Sequence, residues 1–309
     1  MNASVHAHHL APAAPHFELA AHPDHPRIVH VSTDDRALTR FLDEASYIDV
    51  QNLEYVPFMR FKIAQLLHKH LGDELAAKLV NLVTDRQHGG FTIGLQGVSR
   101  DPDDYVKFGT AIAHTLGPVN HDSMSGKFYA RFLVKHTEAS DSYLRQAYRL
   151  FTMHTDGTFV TEATDWLLMM KFSEVNAVGG ESRFLHLDDW EELDRFADHP
   201  LGSKPFEYKS PGSKNVNEQV RRPVFFQGEF GLSMSFIDQF VQPTNVVEAA
   251  YLHDLSASME ASAGTKEVRL PAGDLVVLNN YFYVHGRAPF QKNEGLEREL
   301  MRQRGLFAR

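Results

Sequence analysis

The stretch Phe151-Thr152-Met153-His154-Thr155-Asp156-Gly157-Thr158-Phe159 decides how this chain is read. On an extended strand, residues two apart point to the same side. His154 and Asp156 can therefore offer an imidazole and a carboxylate to one ion. The pattern His-x-Asp is weak alone: roughly one copy is expected by chance in a chain this rich in histidine. Three occur. His22-Pro23-Asp24 lies in a Pro- and His-rich terminus, and His186-Leu187-Asp188 runs into an expected helix start, where Asp188 has a capping role with Glu191 three residues on. Only the copy at 154–156 ends a polar loop and leads into a threonine-aromatic pair before further strand.

Two distant segments complete the pattern. Residues 273–290 read as an apolar strand that delivers His285 at its far end, followed by Gly286, which permits close backbone approach. His285 is the candidate third ligand. Two imidazoles and one carboxylate on one face of an octahedron leave three positions open, the arrangement of non-haem Fe(II) oxygenases. Near the C-terminus, Arg298, Arg302 and Arg304 share parity and so face one side of a strand. Guanidinium groups pair with carboxylates through planar forks, and the neighbouring Leu300, Met301, Leu306 and Phe307 make a packed strand a better reading than a free basic edge. The row predicts a site for small dicarboxylates.

Composition narrows the chemistry. The 309 residues include no cysteine and 18 histidines. A disulfide framework, a thiolate metal site and a cysteine nucleophile are thereby excluded, and imidazole and carboxylate remain as metal donors. The net charge of −9 disfavours general binding of nucleic acid or an anionic membrane surface. No apolar run approaches the roughly 20 residues needed to span a bilayer, and residues 1–26 lack the pattern of a secretory signal. The expectation is a cytoplasmic protein with no nucleic-acid or membrane partner. Seven of the histidines fall within the first 30 residues without fixed ligand spacing, so residues 1–26 are expected to form a disordered or loosely docked arm.

The remaining 27–309 reads as one domain, mainly β with flanking helices. Residues 27–120 are expected to form a mostly helical layer. There Phe58, Phe61, Ile63, Ala64, Leu66 and Leu67 suit one amphipathic helix, Leu71 to Leu82 another with Gly72 as a break, residues 91–95 a strand, and residues 103–116 a helix behind Pro102. In 121–309, short strands are predicted at 127–135, 166–172, 181–187, 223–227, 232–237, 267–270, 275–278 and 300–307, with a helix at 246–262. About eight strands after a helical layer indicate a jelly-roll core, a double-stranded β-helix, rather than βαβ units.

Four pieces, His154-Thr-Asp156-Gly-Thr-Phe159, Gly179-Gly-Glu-Ser182, His285-Gly-Arg287-Ala-Pro-Phe290 and the arginine strand, resemble in order and spacing the Fe(II)/2-oxoglutarate-dependent oxygenases of the taurine dioxygenase and γ-butyrobetaine hydroxylase type. The segments 124–132, 141–146, 185–190, 237–243 and 298–305 are similar, more narrowly, to the carbon-starvation-induced glutarate 2-hydroxylases. That likeness runs from about residue 40 onward, and the family is expected to carry a further tail after the arginine strand.

The resemblance implies Fe(II) held by His154, Asp156 and His285, 2-oxoglutarate and O2 as cosubstrates, and hydroxylation of glutarate at C2 to L-2-hydroxyglutarate with succinate and CO2 as coproducts. It implies that Arg298, 13 positions after His285, and Ser182 hold the distal carboxylate of 2-oxoglutarate, and it leaves Arg302 and Arg304 as candidates for the glutarate carboxylates. It also implies a homotetramer. An oxygenase acting on another small anion, such as a sulfonate or betaine, and a non-catalytic jelly roll binding metal or carboxylate remain open at this point.

Overall fold

The computed structural model describes residues 16–95, 97–122, 125–136, 146–210 and 218–308. Residues 1–15 of the expected arm, and 141–145 of the quoted likeness, lie outside the described residues.

The rest of that arm is not loose. β1 (Phe17–His22) and β2 (His25–Thr33) pair as an antiparallel hairpin, and β2 runs parallel to β3 (Gly90–Gly94). The Pro and His content hid a strand buried on both faces, with Val31 in the core beneath the helices and Ile28, of opposite parity, in the core between the sheets. The helical layer follows as α1 (Asp35–Glu44), α2 (Val50–Tyr55), α3 (Pro57–Leu71), α4 (Asp73–Thr84) and α5 (Pro102–Leu116). Gly72 separates α3 from α4 at φ +92°, a left-handed conformation that favours glycine. Pro102 sits in the first turn of α5 behind the cap Asp101, as expected. Phe58 and Phe61 depart from expectation. The buried face of α3 is Ile63, Ala64, Leu66, Leu67 and Leu71, and the helical period turns the two phenylalanines to solvent.

The β region comprises β4 (Ala130–Lys135), β5 (Phe151–His154), β6 (Trp166–Val175), β7 (Ser182–His186), β8 (Phe206–Lys209), β9 (Gln219–Arg222), β10 (Phe225–Gly228), β11 (Gly231–Met234), β12 (Val241–Gln242), β13 (Lys266–Val268), β14 (Asp274–Asn279), β15 (Tyr283–Arg287) and β16 (Glu297–Gly305). Two helices interrupt it, α6 (Leu193–Ala197) and α7 (Val246–Ala261). A seven-stranded sheet runs β1-β2-β3-β14-β6-β16-β4, and a four-stranded sheet runs β13-β7-β15-β5. Alternation divides the large sheet. Leu168, Met170, Leu275, Val277 and Met301 face the helices in one core, while Met169, Val276 and Leu278 join a second core with Phe184, Tyr283 and Val284 of the small sheet. The architecture is the expected double-stranded β-helix with a helical layer on its outside.

Two local expectations are corrected. The apolar run at 273–290 is two strands in different sheets. Asn279 and Asn280 make the corner: the Asn279 amide donates to the Val83 carbonyl at 3.1 Å, and its oxygen accepts from Tyr281 N–H at 3.0 Å. Asp188 caps no helix. It lies in a single 3-10 turn, Leu187–Asp189, and its carboxylate takes the Arg86 guanidinium at 2.6 Å, while Glu191 accepts from the Ser262 hydroxyl at 2.6 Å.

Candidate active site

The two sheets leave a cleft between them. Phe132, Met169, Arg298, Leu300 and Arg302 enter it from the large sheet, and Phe151, His154, Ser182, His285 and Arg287 from the small one. A second cleft adjoins it beyond His154, lined by Asp122, residues 154–160, Arg302 and Arg304.

His154 and His285 face each other across the β5–β15 ladder, with ring centroids 4.1 Å apart. Asp156 lies just past the end of β5, so strand parity alone does not bring it in. Its backbone is held instead: Asn280 Oδ1 accepts from Asp156 N–H at 2.9 Å, and Asn280 Nδ2 donates to the Asp156 and Thr164 carbonyls at 3.0 and 2.9 Å. Gly157 follows at φ +75°, where a Cβ would lie 2.3 Å from the Thr164 hydroxyl. One ligand atom each from His154, Asp156 and His285 then falls within 4.8 Å of the others, and among the described residues this is the cluster able to hold a metal ion.

The protonation states suit ligation. Burial, with His154 beside it, pushes the His285 imidazole down to about 3, and burial likewise lowers His154. Both rings are neutral near pH 7. The His154 Nδ1 lies 2.8 Å from the Thr152 carbonyl, which can only accept, so Nδ1 carries the proton and Nε2 keeps its lone pair. Burial would raise the Asp156 carboxyl, but Arg302, then His285 and Arg304, hold it well below the usual carboxylate range. One of its oxygens, Oδ1, accepts from Arg302 Nη1 at 3.2 Å; the other, Oδ2, is buried with no hydrogen-bond partner among the described residues. An orphaned anionic oxygen beside two neutral imidazoles, with no thiol in the chain, fits Fe(II).

The arginine row keeps its parity, because the extra residue of the β6–β16 bulge, Phe172, lies on β6. The three guanidinium groups nevertheless differ. Arg298 is buried, donates to the Gly180 carbonyl and reaches Ser182 Oγ at 3.3 Å. Arg302 is held between two carboxylates, Asp122 at 2.9 Å and Asp156 at 3.2 Å. Arg304 lines the second cleft and, among the described residues, makes no ion pair or hydrogen bond through its side chain. Arg287 was quoted in the sequence but given no role. It shares parity with His285, lies opposite Ser182 in the ladder and enters the first cleft, where burial and then Arg298 lower its guanidinium to about 10. Asp122 and Asn280 had no sequence signal, since each acts through a contact more than 100 residues away.

Two facing, mainly antiparallel sheets with a His/Asp/His cluster between them define a metal-centred double-stranded β-helix protein. Known structures share that fold. Asparagine oxygenase in complex with Fe(II), 2S,3S-3-hydroxyasparagine and succinate superposes with a TM-score of 0.72 at 17% identity, over 90% of this chain and 93% of that one. The non-heme iron oxygenase OrfP, in complex with Fe and alpha-ketoglutaric acid, does so with a TM-score of 0.67 at 18% identity, over 89% and 92%.

The chain belongs to the CsiD family, whose model matches residues 17–307. It is 43% identical over 295 residues to the glutarate 2-hydroxylase of Citrobacter koseri, spanning 94% of this chain and 91% of that protein. It is 42% identical over 302 residues to the glutarate 2-hydroxylase of Klebsiella pneumoniae, spanning 97% and 93%.

Proposed function

We propose that this chain is an Fe(II)/2-oxoglutarate-dependent dioxygenase that hydroxylates glutarate at C2, giving L-2-hydroxyglutarate with succinate and CO2 as coproducts. The observation that carries the reading is the orphaned Asp156 oxygen beside two neutral imidazoles, at the seam of two arginine-lined clefts. His154, Asp156 and His285 hold the metal. Fe(II), with 2-oxoglutarate and O2, supplies the oxidising chemistry, and the protein supplies orientation and electrostatics.

Arg298 and Ser182 receive the distal carboxylate of 2-oxoglutarate at the buried end of the first cleft. Arg302 fixes Asp156 with one N–H of a terminal nitrogen and Asp122 with one of the other, which leaves its remaining N–H groups, Nε among them, to a glutarate carboxylate. Arg304, with no ion pair or side-chain hydrogen bond among the described residues, is a further anchor for a glutarate carboxylate. Glutarate is 2-oxoglutarate without its keto oxygen, so the two acids compete wherever recognition rests on carboxylates alone. Among the described residues no helix is long and apolar enough to cross a membrane. A cytoplasmic homotetramer completes the proposal. The exposed Tyr55, Phe58 and Phe61 give it one apolar surface to use, and light scattering tests the assembly.

The deciding experiment is anaerobic reconstitution with Fe(II), followed by O2, 2-oxoglutarate and a panel of small acids. Succinate formed in equal amount to hydroxylated glutarate supports the proposal. Stimulation by a sulfonate or betaine but not by glutarate overturns the substrate. Tight iron binding without turnover of any acid overturns the enzymatic reading.

A further inference from the structure

The strand that carries His154 is sparsely paired in the small sheet. β5 has four residues, lies at the sheet edge and is in register with β15 at two positions, His154 opposite His285 and Phe151 opposite Arg287, with an irregularity between them. Side chains and a loop hold its open edge. Met153 N–H donates to Glu260 Oε1 at 2.6 Å, the Thr152 hydroxyl donates to Asp238 Oδ2 at 2.8 Å, and Thr155 N–H donates to the Phe236 carbonyl at 2.8 Å. Of these, the Glu260 contact acts on the backbone of the strand itself, one residue from His154. The second oxygen of Glu260 accepts from Arg183 Nη1 of β7. Arg183 stands opposite Gly286 in the β7–β15 ladder, so Glu260 ties β5 to a strand two places away in the same sheet. Glu260 lines neither cleft of the active site.

We propose that Glu260 is a positioning residue for His154: its carboxylate stands in for the ladder partner that β5 lacks, and so fixes the imidazole for metal binding. The proposal rests on the metal-centre reading above. A hydrogen bond to an ionised acceptor is stronger than a neutral ladder bond. Groups that orient a ligand from behind typically change metal affinity by roughly 10- to 100-fold when removed. A carboxylate that serves only its ion pair with Arg183 affects folding and leaves metal affinity alone, which separates the two roles.

The test is anaerobic titration of the full chain with Fe(II), with melting of the metal-free protein recorded beside it. Glu260→Ala is expected to raise the Fe(II) dissociation constant roughly tenfold or more. Glu260→Gln, whose amide oxygen still accepts from Met153, is expected to restore near-wild-type affinity. Arg183→Gln is expected to lower the melting temperature with little change in affinity. Wild-type affinity in Glu260→Ala, equal weakening by Ala and Gln, or equal weakening by Arg183→Gln overturns the proposal. If Glu260→Ala does not fold, Met153→Pro removes the same hydrogen bond from the donor side while leaving the ion pair, and must weaken Fe(II) binding; undiminished affinity there is equally fatal. A wild-type chain that takes no Fe(II) overturns the metal-centre reading and this proposal with it. Tight wild-type binding with an unaffected Glu260→Ala overturns this proposal alone.

Discussion

His154-Thr155-Asp156 and His186-Leu187-Asp188 share a pattern and lie on neighbouring parts of one sheet, yet they do opposite things with the same atoms. His186 Nδ1 accepts a hydrogen bond from the N–H of Asp188, two residues on, at 3.0 Å. His22 and His25 do the same with the amides of Asp24 and Arg27. In each, the imidazole closes a turn and Nδ1 is spent as an acceptor. His154 turns the other way and gives its Nδ1 proton to the carbonyl of Thr152, two residues back. The carboxylates divide likewise: Asp188 pairs with Arg86 at the surface, whereas Asp156 keeps one oxygen buried and, among the described residues, unsatisfied. The tripeptide does not make a ligand pair; the direction of the Nδ1 hydrogen bond and the burial of the acid do.

The largest test of that contrast is activity. His154→Ala or Asp156→Ala is expected to abolish succinate formation while circular dichroism shows the fold retained; undiminished turnover breaks the comparison outright. Next comes stability. Arg302 bridges Asp156 and Asp122, all three largely buried, and removing one partner of a buried ion pair costs about 3–5 kcal/mol. Arg302→Ala should therefore lower the urea midpoint sharply, and an unchanged midpoint would show that the bridge is not structural.

A third test separates the other two arginines. Arg298→Ala should raise the KM for 2-oxoglutarate, and Arg304→Ala the KM for glutarate, each by roughly 10- to 100-fold from the loss of about 1.5–3 kcal/mol of charged hydrogen bonding. Steady-state titration of each acid against the other reads the split, and the same KM rising in both variants would collapse the division of roles.

Acid stability gives a smaller effect. Burial lowers both His25 and His186 from 6.5 to about 4. Between those values the unfolded chain takes up protons that the folded one refuses, so stability falls as pH drops from 6.5 towards 4. His186→Asn keeps a turn-forming acceptor and removes one titrating group, so urea midpoints measured across that window should slope less steeply; an unaltered slope assigns the effect elsewhere. The smallest effect belongs to Asp188→Ala. Its half-exposed pair with Arg86 is worth about 0–1 kcal/mol, and turnover should stay at the wild-type level.

The parts of this molecule that were legible in the sequence are those that repeat a period or name a chemistry. The helix behind Pro102 and the parity of Arg298, Arg302 and Arg304 follow from spacing, and the choice of His154, Asp156 and His285 from donor type, although Asn280 rather than strand parity brings Asp156 in. The parity survived because the bulge fell on the partner strand, which no single-strand pattern reports. The break between β14 and β15 was hidden because both halves are apolar, and only the side-chain bonds of Asn279 and Asn280 reveal the corner. β12, with two residues, is too short for a periodic signal. Arg287 sat in a quoted motif, and its parity with His285 would have placed it in the same cleft.

The hold of Arg302 on Asp156 has one more consequence. A carboxylate left to itself can wrap a cation with both oxygens. Here Oδ1 already accepts from a guanidinium while Oδ2 has no partner among the described residues, which favours Oδ2 and a set of three donor atoms, two nitrogens and one oxygen. Three donors leave half of an octahedral shell to molecules arriving from solution. On this reading an arginine that need never touch the metal sets how many places remain vacant for chemistry.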